Sequence, residues 1–199
     1  MLRILAGEKK GHNLHVPRTR AVRPTAANAR QILFDILAGT VEGTRWLDLF
    51  AGSGAVGLEA LSRGAADCVF VESTHACLTT LRENVALLHY EERARVISVP
   101  VEKALKWLIN EGRTFDVIFL DPPYHHDEAM RTLLALGGPA IGLLTAPESL
   151  VVAQVTTHLA VRPRYGELLL ERQRKTGDTN LCFFRREAQP DEEKKTSPV

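Results

Sequence analysis

Hydrophobic and polar positions divide the chain into short segments of two alternating kinds. Apolar runs with the length of buried strands occur at residues 46–50, 68–72, 95–99, 115–120 and 150–155. Segments with apolar positions at helical spacing lie between them, at residues 55–63, 74–88, 101–110 and 127–136. This alternation predicts an α/β fold, with a mainly parallel sheet flanked by helices.

The N-terminal part of the chain departs from this alternation. Residues 2–5 and 13–16 are short apolar-polar stretches around a glycine-containing turn, which predicts a small β-hairpin ended by Pro17. A helix is then predicted from Thr25, a candidate cap, to about residue 38. We expect residues 1–40 to form an extension to a main domain at residues 41–186.

The C-terminal part predicts a second hairpin. Residues 167–172 and 180–184 flank Gly177 and Asp178, a dipeptide typical of a tight antiparallel turn. Residues 187–199 are polar and contain two prolines, so we expect a disordered tail.

Composition adds that the protein is an ordinary globular chain. With 199 residues, 45% hydrophobic and 25% charged, it fits one compact domain. No apolar run reaches the roughly 18 residues of a membrane helix, and Met1 leads into Arg3, Lys9 and Lys10 without the apolar stretch of a signal peptide. Its three widely spaced cysteines predict neither disulfides nor a zinc site. We therefore expect a cytoplasmic monomer that requires no metal.

The overall charge of +1 hides a basic N-terminus. Residues 1–30 contain seven basic side chains and one acidic side chain, Glu8. A concentration of positive charge is typical of a surface that binds nucleic-acid phosphates, although a solvated arm has the same composition. The candidate RNA contacts are Arg3, Lys9, Lys10, Arg18, Arg20, Arg23 and Arg30, with Thr25 beside them.

A glycine-rich loop joins the first strand of the main domain to its first helix. Gly52, Gly54 and Gly57 have the spacing of a dinucleotide-binding loop, and Glu72 follows at the end of the next strand. Glu72 suits the ribose of either a dinucleotide or another nucleoside cofactor. Asp48 favours a cationic sulfonium ligand, because its charge would repel a pyrophosphate. A nicotinamide-dependent dehydrogenase remains an alternative.

A second motif, Asp121-Pro122-Pro123-Tyr124, directly follows the buried strand at residues 115–120. It is therefore expected beside the glycine loop, at the carboxyl edge of the sheet. The Asp121 carboxylate and the Pro122 carbonyl can each accept a hydrogen bond from an exocyclic amino group, which turns the nitrogen lone pair toward a methyl donor. Pro123 helps to fix the loop, and Tyr124 can stack on an unpaired base.

Together these motifs resemble amino-directed class I methyltransferases, and the chain to about Arg186 resembles the RsmD family of 16S rRNA guanine-N2 methyltransferases. Segments outside the two motifs carry the resemblance: Arg3 to Gly7, Arg23-Pro24-Thr25, Gly57 to Ala60, Asn84 and Gly177-Asp178-Thr179.

The resemblance implies a Rossmann-like sheet of seven strands, S-adenosylmethionine as cofactor and an N-terminal hairpin that grips 16S rRNA in an assembling small ribosomal subunit. The implied cofactor contacts are Asp48, Phe50, Ala51, Gly52, Ser53, Gly54, Glu72, Ser73 and Val101. Val99-Pro100-Val101 departs from the family pattern, which usually has an acidic or amide residue there. Two alternatives remain open: a DNA adenine or cytosine N-methyltransferase, and a non-catalytic RNA-binding assembly factor.

Overall fold

The structure, a computed structural model, describes residues 2–17, 24–123, 126–139 and 144–186, without the side chains of 24–27, 126–127 and 146–147. The helices are α1 (Pro24–Ile36), α2 (Ala55–Ser62), α3 (His75–Leu87), α4 (Val101–Asn110) and α5 (His126–Leu136). The strands are β1 (Arg45–Leu49), β2 (Asp67–Val71), β3 (Ala94–Ile97), β4 (Phe115–Leu120), β5 (Thr145–Thr156), β6 (Arg164–Tyr165), β7 (Leu168–Thr176) and β8 (Thr179–Arg186).

All these strands form one sheet in the order β3-β2-β1-β4-β5-β8-β7-β6. Strands β1 to β5 are parallel, whereas β8 pairs antiparallel with β5 and β7 pairs antiparallel with β8. The parallel part and the α/β class are as predicted. The described chain has one strand more than the seven expected, because the two-residue strand β6 pairs with the start of β7.

Successive strand residues point to opposite faces of the sheet, and each face carries its own core. On β1, Trp46 packs with α1, α2 and α3, whereas Leu47 and Leu49 pack with α4 and α5. Trp46 is fully buried, and its indole stacks on Phe34 of α1 with ring centroids 5.6 Å apart. Burial on both faces explains why these strands were recognisable as continuous apolar runs.

The N-terminal segment, residues 2–17, shares the first of these cores rather than extending from it. Leu2, Ile4 and Leu14 are buried there beside Phe34. Around its turn, one β-bridge joins Arg3 to Asn13, and backbone hydrogen bonds continue on both sides of that bridge.

Within the part of the chain that the structure covers, no helix is long and apolar enough to cross a membrane. The predicted tail at residues 187–199 lies outside the described residues.

Candidate active site

The register of three strands brings the two predicted motifs together. Leu49, the last residue of β1, is paired with Val71 of β2 on one side and with Leu120 of β4 on the other. The strands β1, β2 and β4 therefore end side by side, at the same level of the sheet. The glycine loop, Glu72 and Asp121 all begin at this edge.

The glycine loop begins with an unusual backbone conformation. Phe50 has φ of 64°, a left-handed value that side-chain-bearing residues seldom adopt. Gly52 and Gly54 follow with φ of 60° and 82°. The Ala51 N–H donates to the Val71 carbonyl at 2.9 Å, which holds the strained turn against β2. Backbone strain of this kind is concentrated at ligand sites, and the residue pattern gave no sign of it at Phe50.

Two of the glycines also have packing reasons. A Cβ on Gly57 would lie 2.3 Å from the Phe70 ring, so this glycine lets α2 approach β2 closely. A Cβ on Gly54 would lie 2.4 Å from Leu81 of α3. Gly57 therefore serves helix packing, and only the earlier part of the loop is left for a ligand.

Glu72 holds the loop and its own strand end with one carboxylate. Its Oε2 accepts the Gly52 N–H at 2.8 Å, and its Oε1 accepts the N–H groups of Ser73 and Thr74 at 2.9 and 2.7 Å. The side chain is 8% exposed. A carboxylate has about four acceptor positions, so one position on Oε2 remains for a ligand hydroxyl.

Asp48 has a different role from the one its charge suggested. The side chain is 2% exposed, and its Oδ2 accepts the Gly57 N–H of α2 at 3.0 Å. Burial raises the pKa of this carboxyl to about 8, with smaller contributions from Asp121 and Glu72, while the bond from Gly57 opposes the rise. At neutral pH it is mostly protonated. Asp48 thus accepts the Gly57 N–H in the first turn of α2, one of the helix N-terminal donors that would bind the pyrophosphate of a dinucleotide. This arrangement argues against a dinucleotide cofactor.

The other predicted cofactor residues line the same edge. Ala51 is nearly buried, Ser53 is partly exposed and Ser73 is exposed. Val101 is 9% exposed and begins α4 directly after Pro100.

The acceptor motif starts where β4 ends. Asp121 and Pro122 are partly exposed, and Pro123 is exposed. Asp121 follows Leu120, which pairs with Leu49, so its backbone lies beside the start of the glycine loop. Tyr124 and its predicted stacking surface lie outside the described residues.

Asn84, which the sequence patterns left without a role, connects this loop to the N-terminal segment. It is fully buried in α3. Its Oδ1 accepts the His15 N–H at 2.7 Å, and its Nδ2 donates to the carbonyls of His15 and Ser53 at 3.1 and 2.9 Å. The sequence signal for this role was a polar residue inside a predicted helix. A polar residue on the exposed face of a helix gives the same pattern, so the signal was ambiguous.

Two residues of α2 hold the turn of the N-terminal segment. The buried carboxylate of Glu59 accepts the N–H groups of Leu5 and Ala6 at 2.7 and 3.0 Å. Ser62 donates its hydroxyl to the Ala6 carbonyl at 2.6 Å and accepts the Lys9 N–H at 3.0 Å. The segment is therefore fastened by buried polar groups as well as by its apolar side chains.

The candidate RNA contacts divide into three groups. Arg3 and Lys10 are exposed, and Lys9 lies over the Tyr90 ring, 5.7 Å from its centroid. Arg30 is instead 4% exposed and donates to the Arg3 carbonyl at 2.7 Å, so it is an internal anchor of the segment and not part of the RNA-facing surface. The predicted contacts that lie outside the described residues or side chains are Arg18, Arg20, Arg23 and the Thr25 side chain.

Comparisons with known proteins identify the family of this chain. The family described as "Conserved hypothetical protein 95" matches residues 2–185. Ribosomal RNA small subunit methyltransferase D of Escherichia coli (strain K12) is 33% identical over 94% of this chain and 91% of its own length.

Solved structures extend the comparison. The Escherichia coli protein yhhF is 30% identical with a TM-score of 0.79, covering 94% of this chain and 99% of that one. A Thermus thermophilus 16S rRNA N2 methyltransferase (RsmC), in complex with AdoMet and guanosine, shares the fold at 22% identity and a TM-score of 0.67, covering 85% and 44% of the two chains. The chain belongs to the family of Conserved hypothetical protein 95, the RsmD family of rRNA methyltransferases.

Proposed function

We propose that this protein transfers a methyl group from S-adenosylmethionine to the N2 amino group of one guanine in 16S rRNA. The observation that carries the proposal is the row of strand ends at Leu49, Val71 and Leu120, from which a cofactor loop, a ribose acceptor and an amino-group acceptor all start. The family relationship adds that rRNA methyltransferases are built on this fold.

The residues present suit the cofactor. Glu72 retains one acceptor position for a ribose hydroxyl, and it is already oriented by three N–H donors. The left-handed backbone at Phe50 and Gly52 leaves the turn open to close approach of a ligand. When bound, S-adenosylmethionine supplies an electrophilic methyl carbon on a cationic sulfur.

Asp121 and Pro122 act on the acceptor base. Each provides an oxygen to one N–H of the guanine amino group, so that the nitrogen lone pair points toward the methyl carbon. With S-adenosylmethionine bound, these two oxygens would hold the amino nitrogen in line with the methyl group that the cofactor would supply. Because the two oxygens are held by a strand end and two prolines, the chain contributes mainly orientation. Tyr124 stacks on the guanine ring.

Asp48 responds to charge in the neighbouring loop. A cation bound there favours the ionised form of this buried carboxyl, because the two charges attract each other in a poorly solvated site. Cofactor binding below pH 8 is then accompanied by proton release from Asp48. The carboxyl therefore contributes to affinity through its ionisation, while its bond to Gly57 keeps the start of α2 in place.

The N-terminal segment presents Arg3, Lys9 and Lys10 to the RNA. The substrate is 16S rRNA within an assembling small ribosomal subunit, and the protein acts as a cytoplasmic monomer. The same Asp121-Pro122 chemistry would serve an adenine or cytosine amino group in DNA, so the choice of nucleic acid rests on the family relationship.

The deciding experiment incubates the protein with radiolabelled S-adenosylmethionine and, in separate reactions, small subunits lacking the modification, protein-free 16S rRNA and duplex DNA. Nucleoside analysis then locates the label. Label in N2-methylguanosine from rRNA is the expected result. Label only in DNA would replace the proposal by a DNA N-methyltransferase. Cofactor binding without transfer to any of the three substrates would favour a non-catalytic assembly factor.

A further inference from the structure

The far edge of the sheet carries a second basic surface, formed by Arg172 and Arg174, which share one face of β7. Both side chains are exposed, and they form no ion pair or side-chain hydrogen bond within the described structure. Strand β6 pairs with Leu168 and Leu169, and the Leu170 N–H donates to the Pro163 carbonyl, so the part of β7 after Leu170 is an unpaired sheet edge in the described chain. We call Arg172 and Arg174 the β7 basic edge.

The strand register places this edge beside the active-site end of the sheet. Leu120 of β4 is level with Ala153 of β5, which pairs with Cys182 of β8, which in turn pairs with Gln173 of β7. Arg174 is thus one row further along, level with the position of Asp121. Asp121 and Arg174 are therefore separated by three strand spacings, a distance of about 14 Å.

Arg172 and Arg174 also line a groove with α1. The other lining residues are Ile32, Asp35 and Ile36. The groove combines two guanidinium groups with an apolar floor and one carboxylate, and the Gln31 amide donates to that carboxylate at 2.6 Å. Guanidinium groups bind phosphate, an apolar surface accepts a base or ribose, and a carboxylate accepts a ribose or base N–H or O–H donor.

The acidic groups around the edge do not cancel its charge. Glu171 is paired with Arg185, which also binds the Glu148 carbonyl. Asp35 is the one carboxylate among the residues that line the groove, where it stands against the two cationic side chains of Arg172 and Arg174.

We infer that the β7 basic edge binds the phosphates of the substrate RNA strand on the side of the target base away from the glycine loop. This inference rests on the proposed function and adds a second contact surface to the N-terminal segment. At about 3.4 Å per nucleotide along a stacked strand, 14 Å corresponds to about four nucleotides from the target base. A single-stranded or locally opened RNA segment therefore reaches from Asp121 to Arg174.

The test compares Arg174→Gln and the double variant Arg172→Gln/Arg174→Gln with Lys106→Gln. Lys106 is also exposed and cationic, but it lies in α4, beside the opposite half of the sheet. Binding of each protein to protein-free 16S rRNA is measured over a series of salt concentrations, and methyl transfer is measured in parallel. Removal of one arginine–phosphate pair is expected to lower the slope of log K against log salt by about 0.7 for a single strand.

We expect the slope to become less steep by about 0.7 in Arg174→Gln and by about twice that amount in the double variant. Lys106→Gln should leave the slope unchanged. Cofactor affinity should be the same in the wild type and in every variant. Equal slopes in wild type and the double variant would overturn the inference. If the slopes are equal and the wild type still forms N2-methylguanosine, the proposed function stands and only the β7 surface fails. If the wild type transfers no methyl group to protein-free 16S rRNA or to small subunits lacking the modification, the proposed function fails whatever the slopes are.

Discussion

Asn84 holds both the N–H and the carbonyl of His15 with one carboxamide, as a neighbouring β-strand would. The same Nδ2 also donates to the Ser53 carbonyl, between two glycines of the cofactor loop. Because Asn84 is completely buried, water cannot replace these bonds when they are removed. The N-terminal segment and the glycine loop are therefore joined through a single side chain.

The first prediction concerns this connection. Asn84→Leu keeps the branching and the number of heavy atoms of the side chain but removes all three hydrogen bonds, so the Ser53 carbonyl loses its fixed position. We expect S-adenosylmethionine to bind about tenfold more weakly or worse, which corresponds to about 1.4 kcal/mol, and the protein to unfold at lower temperature. Calorimetric titration and thermal unfolding measure the two effects.

Ser62→Ala is the matched control for Asn84→Leu. It removes hydrogen bonds that anchor the same segment at Ala6 and Lys9, but it does not contact the cofactor loop. We expect it to reduce stability while leaving cofactor affinity unchanged. Parallel losses of affinity in the two variants would mean that Asn84 acts only through general stability.

A second prediction separates orientation of the acceptor from cofactor binding. Asp121→Ala removes one of the two oxygens that we propose hold the guanine amino group. Because that interaction matters mostly in the transition state, methyl transfer should fall by two orders of magnitude or more while cofactor affinity stays within a few fold. Single-turnover transfer and equilibrium binding provide the two numbers. A comparable loss in both would assign Asp121 to the cofactor.

The ionisation of Asp48 gives a third prediction. Its folded-state pKa of about 8 lies above the ordinary 3.8, so the folded protein binds a proton that the unfolded chain releases. This group therefore contributes stability below pH 4 that is lost progressively as pH rises toward 8. Asp48→Asn should be more stable than wild type at pH 8, by on the order of a few kcal/mol. Denaturant unfolding at pH 5 and pH 8 tests the sign.

Cofactor binding should show the opposite pH dependence. A cationic ligand favours ionised Asp48, so wild-type affinity is expected to increase as pH rises from 6 to 8 and then to level off. Titrations in two buffers with different ionisation enthalpies would detect the released proton. In Asp48→Asn both the pH dependence and the proton release should disappear; if they persist, another group is responsible.

A fourth prediction uses two glycines of the N-terminal turn. Both have left-handed backbone, with φ of 83° at Gly7 and 88° at Gly11. A Cβ on Gly7 would lie 1.7 Å from the Ser62 carbonyl oxygen, whereas one on Gly11 would meet nothing within 4 Å. Gly11→Ala should therefore lower the free energy of unfolding only by the cost of placing alanine in left-handed backbone, about 1 kcal/mol.

Gly7→Ala should lower the free energy of unfolding clearly more than Gly11→Ala does. The turn must move away from α2 and lose the hydrogen bond from the Glu8 N–H to the Ser62 carbonyl. Thermal unfolding compares the two variants directly. We also expect Gly7→Ala to weaken RNA binding, since Lys9 and Lys10 are carried by the displaced turn. Equal destabilisation by the two alanines would contradict the close approach of Gly7 to α2.

Much of the fold could be predicted because strands buried on both faces have a distinctive composition. The predicted bounds of β1, β2, β4 and α4 differ from the observed ones by no more than a residue at either end. The two-residue strand β6 was missed, since so short an element has no periodicity. The N-terminal segment was expected as an extension, yet it completes a core, because a few alternating apolar residues do not reveal what they pack against.

Charge was a less reliable guide than hydrophobicity. Asp48 and Arg30 were both assigned contacts through their charge, but each is buried and bonded to backbone groups. Glu59 and Asn84 were given no role, although they hold the N-terminal segment in place. Whether a polar side chain meets solvent or the interior depends on neighbours more than fifty residues away in the chain.

The sequence by itself determined the parallel sheet, the glycine loop and the acceptor motif, because each depends on short-range periodicity or on residues within one turn. Only the tertiary structure decided which of these polar groups face a ligand and which hold the chain together. It also showed that the N-terminal segment and the cofactor loop share one carboxamide, and that the β7 basic edge lies level with Asp121. Both relationships arise from strand register and burial, which join residues that are distant in the sequence.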